Sequence, residues 1–333
     1  MKIGCAYFGN RIIRHVESDM KMLRDLGFNF VVHTFSEFDL QFHKGTMQEI
    51  VSVTREAGHE VWLDPWGVGN VFGGEPYSNF AAVNIFEGCQ VLDDEKPVSM
   101  ACPNNPLFLD YMREWVEAVK ECEADGIFWD EPHFHDPNFL GGRKGRWGCR
   151  CRFCREKFEQ IYNEEMPETE TDSVRDFKII SIKEFIEMLI GLSRKAGLKN
   201  TLCLAPHIGA KDIKKLWRPY ASLKELDILG TDPYWQMKGE PVEMVRDYAV
   251  AIRELCREFE LETQLWIQLF KLRRGSGEEV KRAINVSLEE GIVNLAVWGF
   301  EGCDHEAWSR CESPEEEWKA AVDALEEAGK NFD

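Results

Sequence analysis

The chain alternates short apolar runs with longer amphipathic stretches along all of its 333 residues. Eight of the runs have the length and composition of buried β-strands. The predicted strands are Lys2–Phe8, Asn29–His33, Glu60–Asp64, Gly126–Asp130, Thr201–Ala205, Asp227–Thr231, Gln264–Gln268 and Val293–Trp298. Eight strands that alternate with helical patterns predict an α/β fold, a (β/α)8 TIM barrel.

Apolar residues recur at spacings of three and four between the runs, which predicts helices that pack on a sheet. The predicted helices are Ile12–Leu26, Thr46–Ala57, Pro106–Glu123, Ser173–Ala196, Val242–Phe259, Glu278–Glu290 and Ser313–Ala328. A doubly wound sheet is the structural alternative, but no G-x-G-x-x-G segment follows the first strand. We therefore expect residues 1–333 to form a single barrel domain.

Two predicted strand-to-helix connections are much longer than the usual loop of about 4–6 residues. They span residues 65–105 after the third strand and 131–172 after the fourth. Loops of this length in a compact domain are usually functional, and these carry aromatic and histidine side chains. Both loops are therefore expected to contribute to a site.

The net charge of −19 at pH 7 argues against binding to nucleic acid or to anionic membranes, because both require basic surface. No apolar run approaches the roughly 20 residues that a membrane span requires. The N-terminal residues lack the apolar core of a signal peptide. A cytoplasmic location is therefore predicted, where most of the eleven cysteines would stay reduced.

Acidic residues stand where predicted strands end, at the rim on which barrel enzymes carry their catalytic groups. Asp130 and Glu131 end the fourth strand, Asp232 follows the sixth and Glu301 follows the eighth. Cleavage of a glycosidic bond needs two carboxyl groups, one to protonate the leaving oxygen and one to attack carbon or activate water. Neighbouring strand residues point to opposite faces, so Asp130 and Glu131 are not expected to form this pair unless the strand bends.

Aromatic and polar side chains share the same predicted rim. The candidate substrate-binding residues are Trp66, His207, Tyr234, Trp235, Gln268 and Trp298. Aromatic rings are flat and apolar, which suits them to the C–H faces of sugars, and the polar groups suit sugar hydroxyls. We therefore predict a carbohydrate substrate, an oligosaccharide or a glycoside.

Four cysteines have the spacing of a metal site. Cys149, Cys151 and Cys154 form a C-x-C-x-x-C pattern, and Cys102 lies upstream. Zinc bound by four thiolates has a closed coordination shell, so the metal would stabilise a loop and would not activate water. A structural zinc in the loop 131–172 is therefore predicted.

The segment Asp130-Glu131-Pro132 resembles the Asn-Glu-Pro signature at the end of the fourth strand in clan A glycoside hydrolases. In that clan the Glu is the general acid/base. The segment 102–104 (Cys-Pro-Asn), a helix, the fourth-strand acids and then the three later cysteines closely resemble family 42 β-galactosidases. The resemblance covers roughly residues 100–160 and implies a structural zinc and an acid role for Glu131. Family 42 enzymes are often trimers, so a homo-oligomer is left open.

The chain departs from this family at the seventh strand. Clan A enzymes carry the nucleophilic Glu at the end of that strand, whereas Gln264–Gln268 contains no acid. Gln268 stands at about the corresponding place, and an amide cannot form the glycosyl ester. The family's nucleophile therefore cannot be transferred to this chain.

The segment 125–130 (Asp-Gly-Ile-Phe-Trp-Asp) is also similar to the fourth-strand motif of α-L-fucosidases and α-galactosidase-like enzymes, in which the final Asp is the nucleophile. In the α-galactosidase-like enzymes the acid/base is an Asp near the sixth strand, which implies Asp232 here. Two mechanisms stay open. Glu131 acts as the acid with Asp232 or Glu301 as its partner, or Asp130 is the nucleophile with Asp232 as acid/base. Either would hydrolyse a glycoside with an acid whose pKa is raised by burial.

Two other classes of function are alternatives. One is a non-catalytic carbohydrate-binding barrel that has lost its nucleophile, which the amide of Gln268 allows. The other is a metal-dependent hydrolase or isomerase on the same barrel. Its candidate ligands are His33, Asp64, His207 and Asp232.

Overall fold

The computed structural model describes residues 1–137, 143–207 and 212–330, and its main feature is a closed barrel of eight parallel strands. The barrel strands are β1 Lys2–Tyr7, β2 Phe30–Thr34, β3 Glu60–Asp64, β6 Gly126–Asp130, β7 Lys199–Leu204, β8 Ile228–Thr231, β9 Glu262–Gln268 and β10 Asn294–Trp298. Two further strands, β4 (Cys89–Val91) and β5 (Pro97–Ala101), form a separate antiparallel hairpin. Around the barrel the strands follow chain order, and β10 pairs with β1 to close it.

The predicted (β/α)8 barrel is confirmed. All eight predicted strands are present, and no boundary differs from its prediction by more than two residues. Closure between β1 and β10 excludes the doubly wound alternative, because an open sheet would leave both of those strands at edges.

Helices cover the outside of the barrel. They are α1 Ile13–Asp25, α2 Glu37–Phe42, α3 Lys44–Glu56, α4 Asn79–Val83, α5 Pro106–Glu121, α6 Arg152–Tyr162, α7 Asp172–Lys195, α8 Ile213–Ala221, α9 Trp235–Lys238, α10 Met244–Phe259, α11 Gly277–Glu289 and α12 Pro314–Lys330. The seven predicted helices are confirmed, and the five additional ones are short. Among the described residues, no helix combines the length and the apolar character that crossing a membrane requires.

Large side chains fill the barrel interior because glycines on neighbouring strands make room for them. A Cβ atom on Gly4 would lie 2.0 Å from the ring of Phe30, and one on Gly126 would lie 2.4 Å from the ring of Trp62. Phe128 packs edge-on against another interior ring, with 5.0 Å between the centroids. Burial of each such aromatic side chain contributes on the order of 2–3 kcal/mol to stability. The interior is therefore packed up to the level of the strand ends.

Side chains alternate along each strand, and those that do not point into the barrel face the helices and form the larger core. In β2, Val31 and His33 point outward, whereas Val32 belongs to the interior cluster. The His33 Nε2 atom is hydrogen-bonded to Thr54 of α3 at 2.9 Å. Burial lowers the pKa of His33 to about 3, so the ring stays neutral in this layer. His33 is therefore separated from the barrel mouth.

The connection from β3 to α5 is ordered around one buried carboxylate. Glu37, at the start of α2, is 4% exposed. Its oxygens accept hydrogen bonds from Gly69 N–H at 2.7 Å, the Ser78 hydroxyl at 2.6 Å and Phe80 N–H at 2.6 Å. Three donors satisfy a buried carboxylate, so the residues 65–105 adopt a defined path that includes a 3-10 turn (Val68–Asn70), α4 and the hairpin.

The connection from β6 to α7, predicted as a long connection over residues 131–172, contains α6. Residues 138–142 of this connection lie outside the described part. The hairpin β4–β5 binds the connection directly: Gln90 Oε1 accepts from His135 N–H at 3.0 Å and Arg150 N–H donates to Val91 O at 2.7 Å. The two long connections are therefore held together on one side of the barrel mouth.

Candidate functional site

Three aspartates reach the barrel mouth from three strand ends. Asp64 ends β3, Asp130 ends β6 and Asp232 follows β8. Trp62 and Phe128, which lie two residues before Asp64 and Asp130, point into the barrel. Side chains two residues apart on a strand face the same side of the sheet. The aspartates therefore stand on the interior rings, at the carboxyl ends of the strands where barrel enzymes place their chemistry.

Glu131 joins this group because the chain bends directly after β6. Its φ angle is +39°, in the left-handed region that residues other than glycine rarely adopt. The bend turns the Glu131 side chain toward the pocket that Asp130 also lines. The sequence-based expectation that the two carboxyl groups diverge held unless the strand bends, and this bend allows both to line one pocket. Backbone strain of this kind typically costs about 1–3 kcal/mol and is concentrated at functional sites.

A glycine-rich turn after β3 closes one side of the mouth. Gly73 N–H donates to the carbonyl oxygen of Asp130 at 3.0 Å. A Cβ atom on Gly73 would lie 2.3 Å from Asp130 Oδ2, and one on Gly74 would lie 2.1 Å from the ring of Trp66. Only glycine allows this close approach, and the turn brings the next residue, Glu75, into the pocket. Glu75 was not among the residues predicted from the sequence, although the glycine-rich run before it is a visible signal of a tight turn.

The pocket is a small recess of about 70 Å³ with acidic and aromatic walls. It is lined by Trp66, Gly74, Glu75, Asp130, Glu131, Asp232, Tyr234, Met237, Lys238, Phe270 and Trp298. Tyr234 meets Phe270 edge-on at 5.0 Å between centroids, and Phe8 stacks with Trp298 at 5.8 Å. These contacts fix the orientation of the aromatic walls.

A larger depression of about 390 Å³ lies between α3 and α5. It is lined by the ends of those helices, including Arg55 and Glu121, at the amino ends of the barrel strands. That end of a (β/α)8 barrel normally contributes stability, whereas catalysis takes place at the carboxyl ends. We therefore assign the candidate site to the smaller recess.

Burial raises the pKa of Asp64, Asp130 and Asp232 well above the ordinary value, and the negative charges of neighbouring carboxylates raise it further. Asp64 is 0% exposed, and neither of its carboxyl oxygens has a hydrogen-bond partner among the described residues. Asp232 carries a side-chain hydrogen bond with Glu131 that favours its protonated form. The site therefore holds protons at several carboxyl groups under conditions that ionise an exposed acid.

Two lysines lie close enough to oppose this negative charge. Lys238, at the end of α9, lowers the pKa of Asp232. Lys271 lowers the pKa of Glu75, although burial raises that pKa overall. The Lys271 ammonium also lies 3.9 Å from the centroid of the Trp308 ring, a cation–π contact at the outer edge of the mouth.

Of the predicted site residues, Asp130, Glu131, Asp232, Trp66, Tyr234 and Trp298 share the recess. Gln268 does not line it: the side chain is 0% exposed, its Oε1 accepts from Gln236 N–H at 3.1 Å and its Nε2 donates to Phe270 O at 2.9 Å. Its amide therefore anchors α9 to the end of β9. A buried amide with partners on both atoms has no free group to offer a substrate.

The three other predicted residues also lie outside the recess. Trp235 is 1% exposed, and its Nε1 donates to Glu279 at 2.7 Å. Glu301 is exposed on the turn after β10, with φ +47°. His207 is exposed beyond the end of β7. Since His33 faces the helices, the metal ligands of the alternative hypothesis are not brought together. Among the described residues, the cysteine cluster is the one group of His, Cys, Asp or Glu whose ligand atoms lie within 4.8 Å of one another.

The four predicted cysteines do meet, next to the hairpin and α6. Cys102 Sγ lies 3.5 Å from the sulfurs of Cys154 and Cys151 and 3.8 Å from that of Cys149. A tetrahedral metal with bonds of about 2.3 Å to sulfur requires sulfurs about 3.8 Å apart, so the cluster fits such an ion. All four are buried, and Asn104 Nδ2 donates to Cys154 Sγ at 3.3 Å. The cluster can hold a metal away from the carboxyl groups.

No protein-family model and no curated protein sequence matches this chain. Among solved structures it is similar to the endo-1,4-β-mannanase from Rhizomucor miehei, with 10% identity and a TM-score of 0.61 over 98% of this chain and 95% of that one. It is also similar to a D-psicose 3-epimerase, with 12% identity and a TM-score of 0.53 over 100% and 99% of the two chains. A 3-keto-D-glucoside 4-epimerase from E. coli gives 14% identity and a TM-score of 0.50 over 99% of both chains. These similarities show the barrel fold, and the resemblance to family 42 stays a prediction.

Proposed function

We propose that this protein is a glycoside hydrolase that acts through the carboxyl groups at the ends of β6 and β8. The observation that carries the proposal is that Asp130, Glu131 and Asp232 line one recess together with four aromatic side chains. Glycoside cleavage requires a proton donor and a second carboxylate on the two sides of one bond. Similarity to a mannanase, and to enzymes that act on free or keto sugars, agrees with a carbohydrate substrate.

We assign the proton to Asp232. This residue is 5% exposed, and both its burial and the charge of Glu131 raise its pKa. A carboxyl group whose pKa is raised keeps its proton to higher pH than an exposed acid, which suits protonation of a leaving oxygen. Glu131 is more accessible and supplies the carboxylate that attacks carbon or activates water. Its hydrogen bond with Asp232 must open when substrate enters, because the two carboxyl groups have to stand at least about 5 Å apart across the glycosidic bond. Of the partners considered for Glu131, Asp232 shares the recess and Glu301 does not.

The shape of the recess favours one terminal sugar over the middle of a long polymer. Its volume is only about 70 Å³, and it is lined by the turn that carries Gly74 and Glu75 and by Tyr234 and Trp298. A cleft for an extended polysaccharide would be open at both ends. We therefore expect release of single sugar units from the end of an oligosaccharide or glycoside.

Zinc is the metal that we propose for the cysteine cluster. Four buried cysteines with these separations match a closed tetrahedral site, which leaves no open position for substrate. When bound, the metal would cross-link the segment before α5 to the start of α6. Its contribution is to the stability of the mouth, and the carboxyl groups alone carry the proposed hydrolysis.

A panel of 4-nitrophenyl glycosides tests the proposal through release of nitrophenol. We expect Glu131→Gln and Asp232→Asn to lower kcat by about 10²–10⁴-fold, the usual contribution of one acid–base group. For Asp232→Asn the loss should be smaller when the leaving group is a good one, because nitrophenolate needs little protonation. Glu301→Gln, the acid outside the recess, should retain activity.

Unchanged turnover in both Glu131→Gln and Asp232→Asn would refute this assignment. Absence of any turnover across the panel would instead favour the carbohydrate-binding alternative. For an active enzyme, NMR of the first product anomer separates retention from inversion.

A further inference from the structure

The recess contains more carboxyl groups than glycoside cleavage requires. Glu131 and Asp232 serve the proposed reaction, and three other acids remain at the same mouth. These are Asp64, Glu75 and Asp130. The five carboxyl groups outnumber the two nearby lysines, Lys238 and Lys271. Burial and mutual repulsion favour protons on several of these acids, and a cationic ligand group would favour their ionised forms, so the site is complementary to a positively charged group.

The acids also include polar atoms that the protein leaves unsatisfied. Asp64 is 0% exposed, and both of its carboxyl oxygens lack a hydrogen-bond partner among the described residues. Oδ1 of Asp232, which lines the recess and is 5% exposed, lacks one as well. Buried polar atoms without partners are rare and usually mark a missing water, ion or ligand. Asp232 lines the recess, and Asp64 is buried close to two other lining residues, Asp130 and Glu75.

The remaining walls are aromatic. Trp66, Tyr234 and Trp298 line the recess beside the acids, and Phe270 completes it. Aromatic faces attract organic cations and stack against the C–H faces of sugar rings. A small metal ion would gain nothing from these walls. The acids as they lie also bring no three ligand atoms within 4.8 Å of one another among the described residues.

We propose that the substrate is a glycoside of an amino sugar, bound with its ammonium group among Asp64, Glu75 and Asp130. This proposal rests on the proposed function, because it places the sugar in the same recess. The ammonium group gives the unsatisfied carboxyl oxygens a charged donor, and the sugar ring lies between the aromatic walls. Glu75 and Asp130 line the recess, whereas Asp64 is fully buried close to both of them.

Isothermal titration calorimetry on the full-length chain tests this proposal without any need for turnover. Glucosamine is compared with glucose, and galactosamine with galactose, because each pair differs only in an ammonium group or a hydroxyl at C2. We expect at least one amino sugar to bind about tenfold more tightly than its parent, since a desolvated ion pair is lost with the hydroxyl. N-acetylglucosamine, which is neutral, should bind like glucose.

Two variants locate the effect. Glu75→Gln keeps the size of the side chain and removes its charge, and it should reduce the preference for the amino sugar several-fold. Glu49→Gln is the matched control, because Glu49 is exposed on the outer face of α3. Thermal unfolding of each variant shows whether it is folded. If Glu75→Gln is not, Asp64→Asn serves as the test variant.

Equal binding of both pairs, or binding of none of these sugars, would overturn the proposal. Displacement of a bound amino sugar by micromolar Ca²⁺ or Mg²⁺ would overturn it too, because the acids would then form a metal site. A chain that binds glucosamine but cleaves no glycoside refutes the hydrolase and leaves this inference standing. A chain that cleaves neutral glycosides without any preference for amino sugars refutes only this inference.

Discussion

Gly73 donates its backbone N–H to the carbonyl oxygen of Asp130 at 3.0 Å, so the turn after β3 lies directly on the end of β6. At this point the two backbones are too close for a side chain. A Cβ atom on Gly73 would be 2.3 Å from Asp130 Oδ2 and 3.5 Å from Glu131 Oε2. One glycine therefore fixes the positions of both carboxyl groups and of the residue that follows the turn, Glu75.

Gly73→Ala should reduce catalytic efficiency while leaving the barrel folded. The added methyl group must push Asp130 or the turn aside, and displacement of a catalytic group by about 1 Å can cost on the order of 10²-fold in rate. Activity on a nitrophenyl glycoside and the melting temperature should be measured together. Gly45→Ala, where a Cβ would meet open space on α3, is the control and should retain full activity. Full activity in Gly73→Ala would show that the close approach has no role in the site.

Glu131→Gly should make the protein more stable and inactive. Glu131 holds φ +39°, a conformation that glycine adopts freely, and glycine also removes one of several crowded negative charges. We expect the free energy of unfolding, from urea denaturation, to rise by about 1 kcal/mol. Glu123→Gly is the control, because Glu123 has φ +58° in an exposed turn far from the recess. It should gain stability and keep activity. A less stable Glu131→Gly protein would contradict the strain that we assign to this residue.

Asp64→Asn should flatten the dependence of stability on pH. Burial raises the pKa of Asp64 in the folded chain above its value in the unfolded chain, so the folded state holds a proton that the unfolded state releases. Stability from this group is therefore complete below the ordinary aspartate pKa of about 4 and is lost as the pH rises through the folded pKa. Between pH 5 and pH 8 the wild type should lose about 1–3 kcal/mol more than the variant.

The measurement is the midpoint of urea denaturation at pH 5 and at pH 8, for the wild type and for Asp64→Asn. Asp25→Asn is the control, because Asp25 is exposed at the end of α1 and should leave the pH dependence unchanged. An equal pH dependence in wild type and Asp64→Asn would mean that this carboxyl group is ionised or paired in solution.

Cys151→Ser should release the bound metal and lower the melting temperature. Cys151 Sγ lies 3.5 Å from Cys102 Sγ, and loss of one thiolate leaves an incomplete tetrahedral shell. Elemental analysis should find about one zinc per wild-type chain and much less in the variant, with a melting temperature lower by roughly 5 °C or more. Cys122→Ser, at a buried thiol at the end of α5, should retain the metal. A wild-type protein that contains no metal would refute the zinc assignment.

The sequence predicted the barrel because apolar runs and helical spacing are local signals. All eight strands and the seven long helices left such signals, whereas α8, with nine residues and an internal proline, did not. The four cysteines were predicted to cluster, and they do: the spacing of Cys149, Cys151 and Cys154 is a local signal, whereas Cys102, far upstream, was added through the resemblance to family 42. Structural features that depend on the pattern within about ten to twenty residues could therefore be predicted from the sequence.

The site was predicted only in part, because contacts across the mouth depend on backbone turns that leave no periodic signal. The bend at Glu131, which brings its carboxyl group beside that of Asp130, follows from one φ angle. Glu75 reaches the recess through a turn whose glycines are required by Trp66 and by Asp130, and Asp130 lies far along the chain from this turn. Gln268 was expected to meet substrate, but the position of α9 gave both of its amide atoms protein partners.

The hairpin β4–β5 links the two long connections at the barrel mouth, so sequence changes in one of them affect the other. It comes from the first long connection, yet its residues bond to the second: Gln90 to His135, Val91 to Arg150, and Cys102, just after the hairpin, to the other three cysteines. The two long connections thus form one structural unit, although they are separate in sequence. Shortening, grafting or deleting either connection alone would remove contacts that support the other.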